Sequence, residues 1–268
     1  MKLILNEKDI LNKSLEKGYI DNKKPINTIK ILAKHYLSIG MNVRQTIDSI
    51  NNFLLKNMDK YNSVKWINSI ETMVIKIHKA KDYKLLDIKQ VEITEKELDT
   101  IKNIDNEKYE KLAFVLLVYA KIYNQINEND KNWVNAEHKD IFSDAKIAIK
   151  IIEQGKMIYQ LVGMGLVEST VIVDKTNIKV NFANKESKVV LVISDFRNYV
   201  YEYLRWKGRN IKECENEECK ILFSPTNNSN KYCKNCAKKL HNEVKRNTWH
   251  KNKDKYRNAR QTKDPVNP

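Results

Sequence analysis

Apolar residues recur at helical spacing through the first third of the chain. Ile10, Leu11 and Leu15 mark a short first helix. Pro25 opens a second, since proline suits a first helical turn; Ile29, Leu32, Ala33, Tyr36 and Leu37 form its inner face and Gly40 stops it. Val43, Ile47, Ile50, Phe53 and Leu54 give a third helix. Trp66, Ile67, Ile70, Met73, Val74 and Ile77 give a fourth, capped by Asn62 or Ser63. A helix with one apolar face must bury it, so residues 1–84 are expected to form a small helical bundle. Residues 85–105 read as a connector. Within it LLDIKQVEIT alternates weakly, as a strand does, and Thr94 with Glu97 is a capping box that starts another short helix.

The pattern changes over residues 106–195. A long apolar helix, YEKLAFVLLVYAKIYNQI, is followed by a polar loop, NENDKNW, and then by Ile141, Phe142, Ala145 and Ile147 at helical spacing. A third helix places Ile158, Leu161 and Val162 inward. Val171 and Val173 then alternate against Ile178, Val180 and Phe182, a hairpin turning at Asp174 to Asn177, and KVVLVISD adds a strand that extends the sheet. Helix, helix, turn, helix, hairpin is the order of a winged helix. The phrase Leu161-x-x-x-Gly165-Leu166-Val167-Glu168 resembles the helix-to-wing junction of winged-helix regulators. The resemblance implies a third helix that enters the major groove, with Gln154, Lys156, Tyr159 and Gln160 facing outward and Lys175 and Lys179 of the wing near phosphates. Gly155 lowers that helix's propensity by about 1 kcal/mol, which counts against a rigid reading helix or marks a close backbone approach. Winged helices also serve purely as protein–protein modules.

Residues 196–268 begin with FRNYVYEYLRWK, a helix whose aromatic stripe (Phe196, Tyr199, Tyr203) reads as packing, and Gly208 ends it. All the cysteines of the chain follow: Cys214, Cys219, Cys233 and Cys236, spaced C-x4-C-x13-C-x2-C. Two close pairs joined by a loop are what a tetrahedral zinc ion needs, and four thiolates leave no open position for water, so the metal is expected to be structural. The alternative is a pair of disulfides, which a reducing cytosol disfavours. His241 and His250 are spare as ligands.

Charge sharpens the picture. The chain carries a net +15, and from Lys220 to the end 13 Lys/Arg face 3 Asp/Glu. Cys236 leads directly into a helix with Leu240, Val244 and Trp249 as its apolar stripe and cations around the rest. Lys238, Lys239, Lys245, Arg246, Lys251, Lys253, Arg257 and Arg260, interleaved with Trp249, form an electrostatic footprint for phosphate backbones. The blander reading is a solvated tail that keeps the protein soluble. Scarce glycine and proline favour a mainly α, α+β fold, and abundant Lys, Asn and Ile point to a low-GC bacterium or one of its mobile elements. No apolar run approaches a membrane span and the start lacks a secretory signal, so the expected place is the cytoplasm of a bacterial host cell.

The stretch from DFRNYVYEYLRWKG through the four cysteines to the basic tail is similar to the C-terminal region of uncharacterised phage and prophage proteins of low-GC Gram-positive bacteria. The second pair, Y-C-K-N-C-A-K-K, resembles the helix-borne pair of treble-clef zinc fingers. The first pair departs from the C-x2-C usual in such modules. The resemblance implies a mobile-element origin and brings no activity with it.

The sequence therefore points to a zinc-containing protein that binds double-stranded DNA, as a transcriptional regulator or a replication or recombination accessory factor. A second reading is a protein-binding factor, such as a host-defence inhibitor or recombinase accessory, that targets a nucleic-acid machine. An enzyme is not expected: the chain has no P-loop, no Gly-rich dinucleotide turn and no His-Glu-x-x-His motif.

Overall fold

The computed structural model describes residues 4–21, 24–172 and 175–261, with the backbone alone at 171–172, 175–176 and 254–261. The fold is mainly helical, with small antiparallel sheets and a C-terminal cysteine cluster. Two compact units divide it, residues 2–91 with 122–130, and residues 92–121 with 131 onward. Among the described residues no helix is long and apolar enough to cross a membrane.

The first unit contains α1 (Glu7–Lys17), α2 (Pro25–Ser38), α3 (Val43–Asn57) and α4 (Ser63–Ala80). Local chemistry sets their ends. Pro25 occupies the first turn of α2. The Asn42 side chain accepts from the Gln45 N–H at 2.9 Å while Gln45 accepts from the Asn42 N–H at 3.0 Å, a reciprocal cap on α3. Asn62, not Ser63, caps α4, accepting from the Lys65 N–H at 3.2 Å. Gly18 ends α1 at φ +65°, a left-handed conformation that favours glycine, and a Cβ there would force the Asn57 side chain aside. Ile29, Leu32, Ile50, Leu54, Ile70 and Val74 are fully buried between the helices. A small ionic group shares this interior. Lys34 Nζ lies 3.2 Å from Glu7 Oε2 and donates to the Lys84 carbonyl at 2.9 Å, and the same Glu7 oxygen accepts from the Leu86 N–H at 3.0 Å. Lys34 Nζ also lies 3.6 Å from Asp82 Oδ2, and Glu7 also lies 3.9 Å from Lys30 Nζ.

The second unit starts in the expected connector, which folds as β1 (Val91–Thr94) and α5 (Glu95–Lys102). Thr94 N–H donates to Glu97 Oε2 at 2.8 Å, the capping contact foreseen from sequence. Then come α6 (Glu107–Asn127), β2 (Trp133–Val134), α7 (His138–Asp144), α8 (Ile151–Gly163), β3 (Val167–Ile172), β4 (Lys175–Val180), β5 (Val189–Ile193) and α9 (Val200–Trp206). Residues Leu112 to Ala120 of α6 are all buried, as a helix apolar on every side must be. Polar tips inside this core are bonded. Tyr119 donates to Asp144 at 2.8 Å, and Tyr203 donates to Glu110 at 2.8 Å, where Lys207 also lands at 2.5 Å. Burial, then the neighbouring carboxylates, push the Tyr199 and Tyr203 phenols well above their ordinary range.

Three details correct the sequence reading. The hairpin pairs Val167 with Val180 through Ile172 with Lys175, so Lys175, Thr176 and Asn177 belong to β4 rather than to the turn; the connecting Val173 and Asp174 lie outside the described residues. The expected polar loop contains β2, which pairs Trp133 with Lys179 and gives the sheet order β2-β4-β3. The KVVLVISD strand, β5, does not extend this sheet but pairs with β1. The intervening segment is captured on the way: buried Glu97 Oε1 accepts from the Asn184 N–H at 2.7 Å, and the Thr94 hydroxyl donates to the Asn184 carbonyl at 3.1 Å. In addition α9 is shorter than its aromatic pattern, because Asp195 accepts from the Arg197 backbone N–H and guanidinium and bends the chain ahead of it.

Candidate metal centre

After α9 the chain forms a two-residue-stranded hairpin, β6 (Lys212–Glu213) with β7 (Leu222–Phe223), and then α10 (Lys234–Gln261). Cys214 leaves β6 and Cys219 precedes β7, so the first pair sits on the hairpin's knuckle. Asn216 shapes the knuckle. Its side chain accepts from the Glu218 N–H at 3.0 Å, and its carbonyl accepts from the N–H groups of Cys219 and Lys220 at 2.8 and 3.1 Å. Lys220 takes a left-handed φ of +47° to close the longer C-x4-C bite. Cys233 and Cys236 straddle the start of α10, one helical turn apart. Asn198 Nδ2 donates to the Leu222 carbonyl at 2.8 Å and ties the hairpin to the residues ahead of α9.

The four thiols are free, and their sulfurs all lie within 4.8 Å of one another. Zinc–sulfur bonds of about 2.3 Å in a tetrahedron separate the sulfurs by about 3.8 Å. The Cys219 and Cys233 sulfurs are 3.9 Å apart. The cluster therefore has the donor set and the spacing to hold a metal ion such as zinc. Three of its members are buried and Cys219 is half-buried, so protein fills the surroundings and four thiolates fill the shell.

Electrostatics within the cluster is uneven. Burial pushes the Cys214 thiol up, but the N–H groups of Cys233 and Asn216 outweigh it, and the group lies below its ordinary range. The Cys233 N–H reaches the Cys214 sulfur at 3.4 Å. Cys236 is pushed up to about 12, by burial and then by hydrogen bonding to the other three sulfurs. A cluster in which the Cys214 thiolate forms easily and Cys236 resists is one that gains from a divalent cation. Arg197, held by Asp195 at 2.6 Å, is raised chiefly by that carboxylate and additionally by the charges of Cys219 and Cys233.

The basic residues continue directly from the cluster. From Ala237 to Lys251 every residue of α10 is exposed. At 3.6 residues per turn, Lys238, Lys239, Lys245, Arg246, Trp249 and Lys253 fall within about a third of the helix circumference. Trp249 is thus not part of the apolar stripe of Leu240 and Val244: five residues beyond Val244, it is rotated by about 140°. It sits on the cationic face, with Lys253 Nζ 5.8 Å from its ring centroid. Lys251 lies on the opposite side. The side chains of Arg257 and Arg260 lie outside the described residues. His241 and His250 are exposed on α10 and are not in the metal-binding group.

On α8 the expected reading face divides. Lys156, Tyr159 and Gln160 are exposed, with Lys156 bound to Glu153 at 2.8 Å. Gln154 is not outward: it is buried and donates to the Ile149 carbonyl at 3.3 Å. Its spacing to Ile158 and Leu161 puts it on the core stripe, and a polar side chain concealed that. Beside Lys156, Tyr159 and Gln160, α8 exposes the apolar Ile151 and Ile152 at its start, and Met164 is exposed just past its end. The Lys175 side chain lies outside the described residues, and Lys179 is paired with Glu168 at 3.3 Å. Sequence reasoning does not single out Asn216 and Asn198; an asparagine six residues before β7 is a turn signal, but only the fold shows which groups it bonds. Compared with protein-family models, curated proteins and solved structures, the chain matches none of them.

Proposed function

We propose that the protein is a zinc-stabilised double-stranded-DNA-binding protein of a phage or related mobile element, acting in a bacterial cytoplasm. The observation that carries this reading is the convergence of five cations and Trp249 on one face of α10, immediately after a four-cysteine cluster. The ion fixes where the helix begins; the helix presents the charge. Such a surface gives affinity for phosphates without sequence preference. We read α6, β2, α7, α8 and the β3–β4 hairpin as winged-helix-like, from the element order and the strand order β2-β4-β3. This supports a regulatory role or an accessory role in replication or recombination, with no catalytic step.

A second reading has its own observation. The exposed face of α8 carries Ile151, Ile152 and Tyr159 beside Gln160, and its one cation, Lys156, is already paired with Glu153. That favours a protein partner for α8 over a base-reading role, while α10 holds DNA.

The test is binding of zinc-loaded full-length protein to random duplex DNA at two salt concentrations. Five phosphate contacts predict a log–log salt slope of about −4 to −5. A variant with Lys238, Lys239, Lys245, Arg246 and Lys253 all changed to Ala should lose that slope, and Lys251→Ala should barely change it. A steep slope that survives the five-fold change would remove α10 from the interface.

A further inference from the structure

We propose that α10 completes its helix on the DNA, so that duplex binding and helix formation over residues 237–253 are one coupled step. This rests on the reading of α10 as the DNA-contacting element.

The first argument is the lack of support. The helix runs 28 residues, or about 42 Å. Leu240, Val244 and Trp249 are 39%, 62% and 51% exposed, so no core covers its apolar side chains. Helices in proteins owe most of their stability to packing an apolar face, and among the described side chains this one packs none beyond Cys236. Local propensity does not compensate. Asn235, Asn242, Asn247, Asn252, His241, Val244, Thr248 and His250 are all weak helix formers.

The second argument is charge. The first turn contains no acidic residue. Lys234, Lys238 and Lys239 instead crowd the positive end of the helix dipole, and Lys234 with Lys238 is a like-charge pair one turn apart. Lys239 with Glu243 attracts, but with the cation first, the weaker order. The cationic face repels itself most strongly when the helix is formed, because only the helix brings Lys238, Lys245, Arg246 and Lys253 together.

One feature offsets this. The metal ligands Cys233 and Cys236 fix the first turn, which is the costly nucleus of any helix. The helix is thus started but not secured. Phosphates supply the rest, since a polyanion turns the self-repelling face into the favoured one. Shape selects a duplex. A convex rod about 10–12 Å across fits a major groove about 12 Å wide, whereas single strands are held in concave grooves with stacking platforms.

The experiment uses zinc-loaded full-length protein with and without a random duplex, read by amide hydrogen exchange and by affinity. Exchange over residues 237–253 should slow at least roughly tenfold on binding. Asn247→Ala with Thr248→Ala, both outside the cationic third, raises helix propensity without adding charge. It should tighten binding roughly fivefold with the salt slope unchanged. Binding with unaltered exchange and no gain in the double variant would overturn the proposal and leave DNA binding standing. No binding by either protein at low salt would overturn both.

Discussion

The helical bundle α1–α4 and the four-cysteine module are built on opposite terms. In the bundle, Ile29, Leu32, Ile50, Leu54, Ile70 and Val74 are fully buried, each contributing about 1.5–3 kcal/mol. In the module the buried group is Phe223 with Cys214, Cys233 and Cys236, so most of its core is the ligand set itself. One region is held by area removed from water; the other has four sulfurs in place of a core, which on the proposed reading a zinc ion holds together. Regions too small to bury a core need such a staple. The division also sets α10 apart: it starts at the cysteine cluster and is exposed on every face from Ala237 to Lys251, as no helix of the bundle is.

The largest effect that follows is loss of the metal. A chelator, or Cys236→Ser, should unfold the β6–β7 knuckle and the start of α10, since structural zinc contributes on the order of 10 kcal/mol or more. Protection from amide exchange should collapse there and stay unchanged over α1–α4. Simultaneous loss of protection in the bundle would erase the distinction. Acid should do the same by degrees. Cys236 sits at about 12 without metal, so loading must expel protons, and affinity falls as pH falls. Each pH unit lost should weaken zinc binding at least roughly tenfold, read by competition with a chromogenic chelator.

How much of this was legible in the sequence follows the same division. Spacing alone exposed the cysteine pairs, because ligands for one ion must be close in the chain or joined by a loop. Caps were legible at Thr94–Glu97 and Asn62, where the chemistry is local. Readings that depended on which side of an element faces the core failed wherever a polar residue occupied an inner position, as Gln154 does. The two-residue strand β2 was hidden in a polar loop, since so short a strand has no period, and β5 was given the wrong partner because pairing is set by distant Glu97 and Asn184. On α10 the count of cations was plain, but Trp249 changed sides once real helical rotation replaced a loose apolar stripe.

A mid-sized effect tests the bundle from within. Lys34 and Glu7 are each only 3–4% exposed along their side chains. Glu7→Ala leaves the Lys34 ammonium with only the half-exposed Asp82 carboxylate, 3.6 Å away, removes the acceptor for the Leu86 N–H, and should destabilise by about 2–4 kcal/mol in urea unfolding. Zinc affinity should not move. Glu7→Leu with Lys34→Met should recover most of the loss, because burial, not charge, is what the region runs on.

The smallest effect sharpens the comparison furthest. Thr46 is fully buried in α3, and its hydroxyl has no hydrogen-bond partner. A helical threonine ordinarily returns its hydroxyl to the carbonyl one turn back; here the Asn42 carbonyl takes only the Thr46 backbone N–H, at 2.9 Å. Valine has nearly the same shape and carries no polar atom to desolvate. If the bundle is held by apolar burial, Thr46→Val should stabilise it by about 1 kcal/mol, seen as a higher urea midpoint with an unchanged slope. A loss of similar size would mean that the hydroxyl is satisfied in solution, by a water or a shifted rotamer, and that polar bonding matters inside the bundle as it does around the sulfurs.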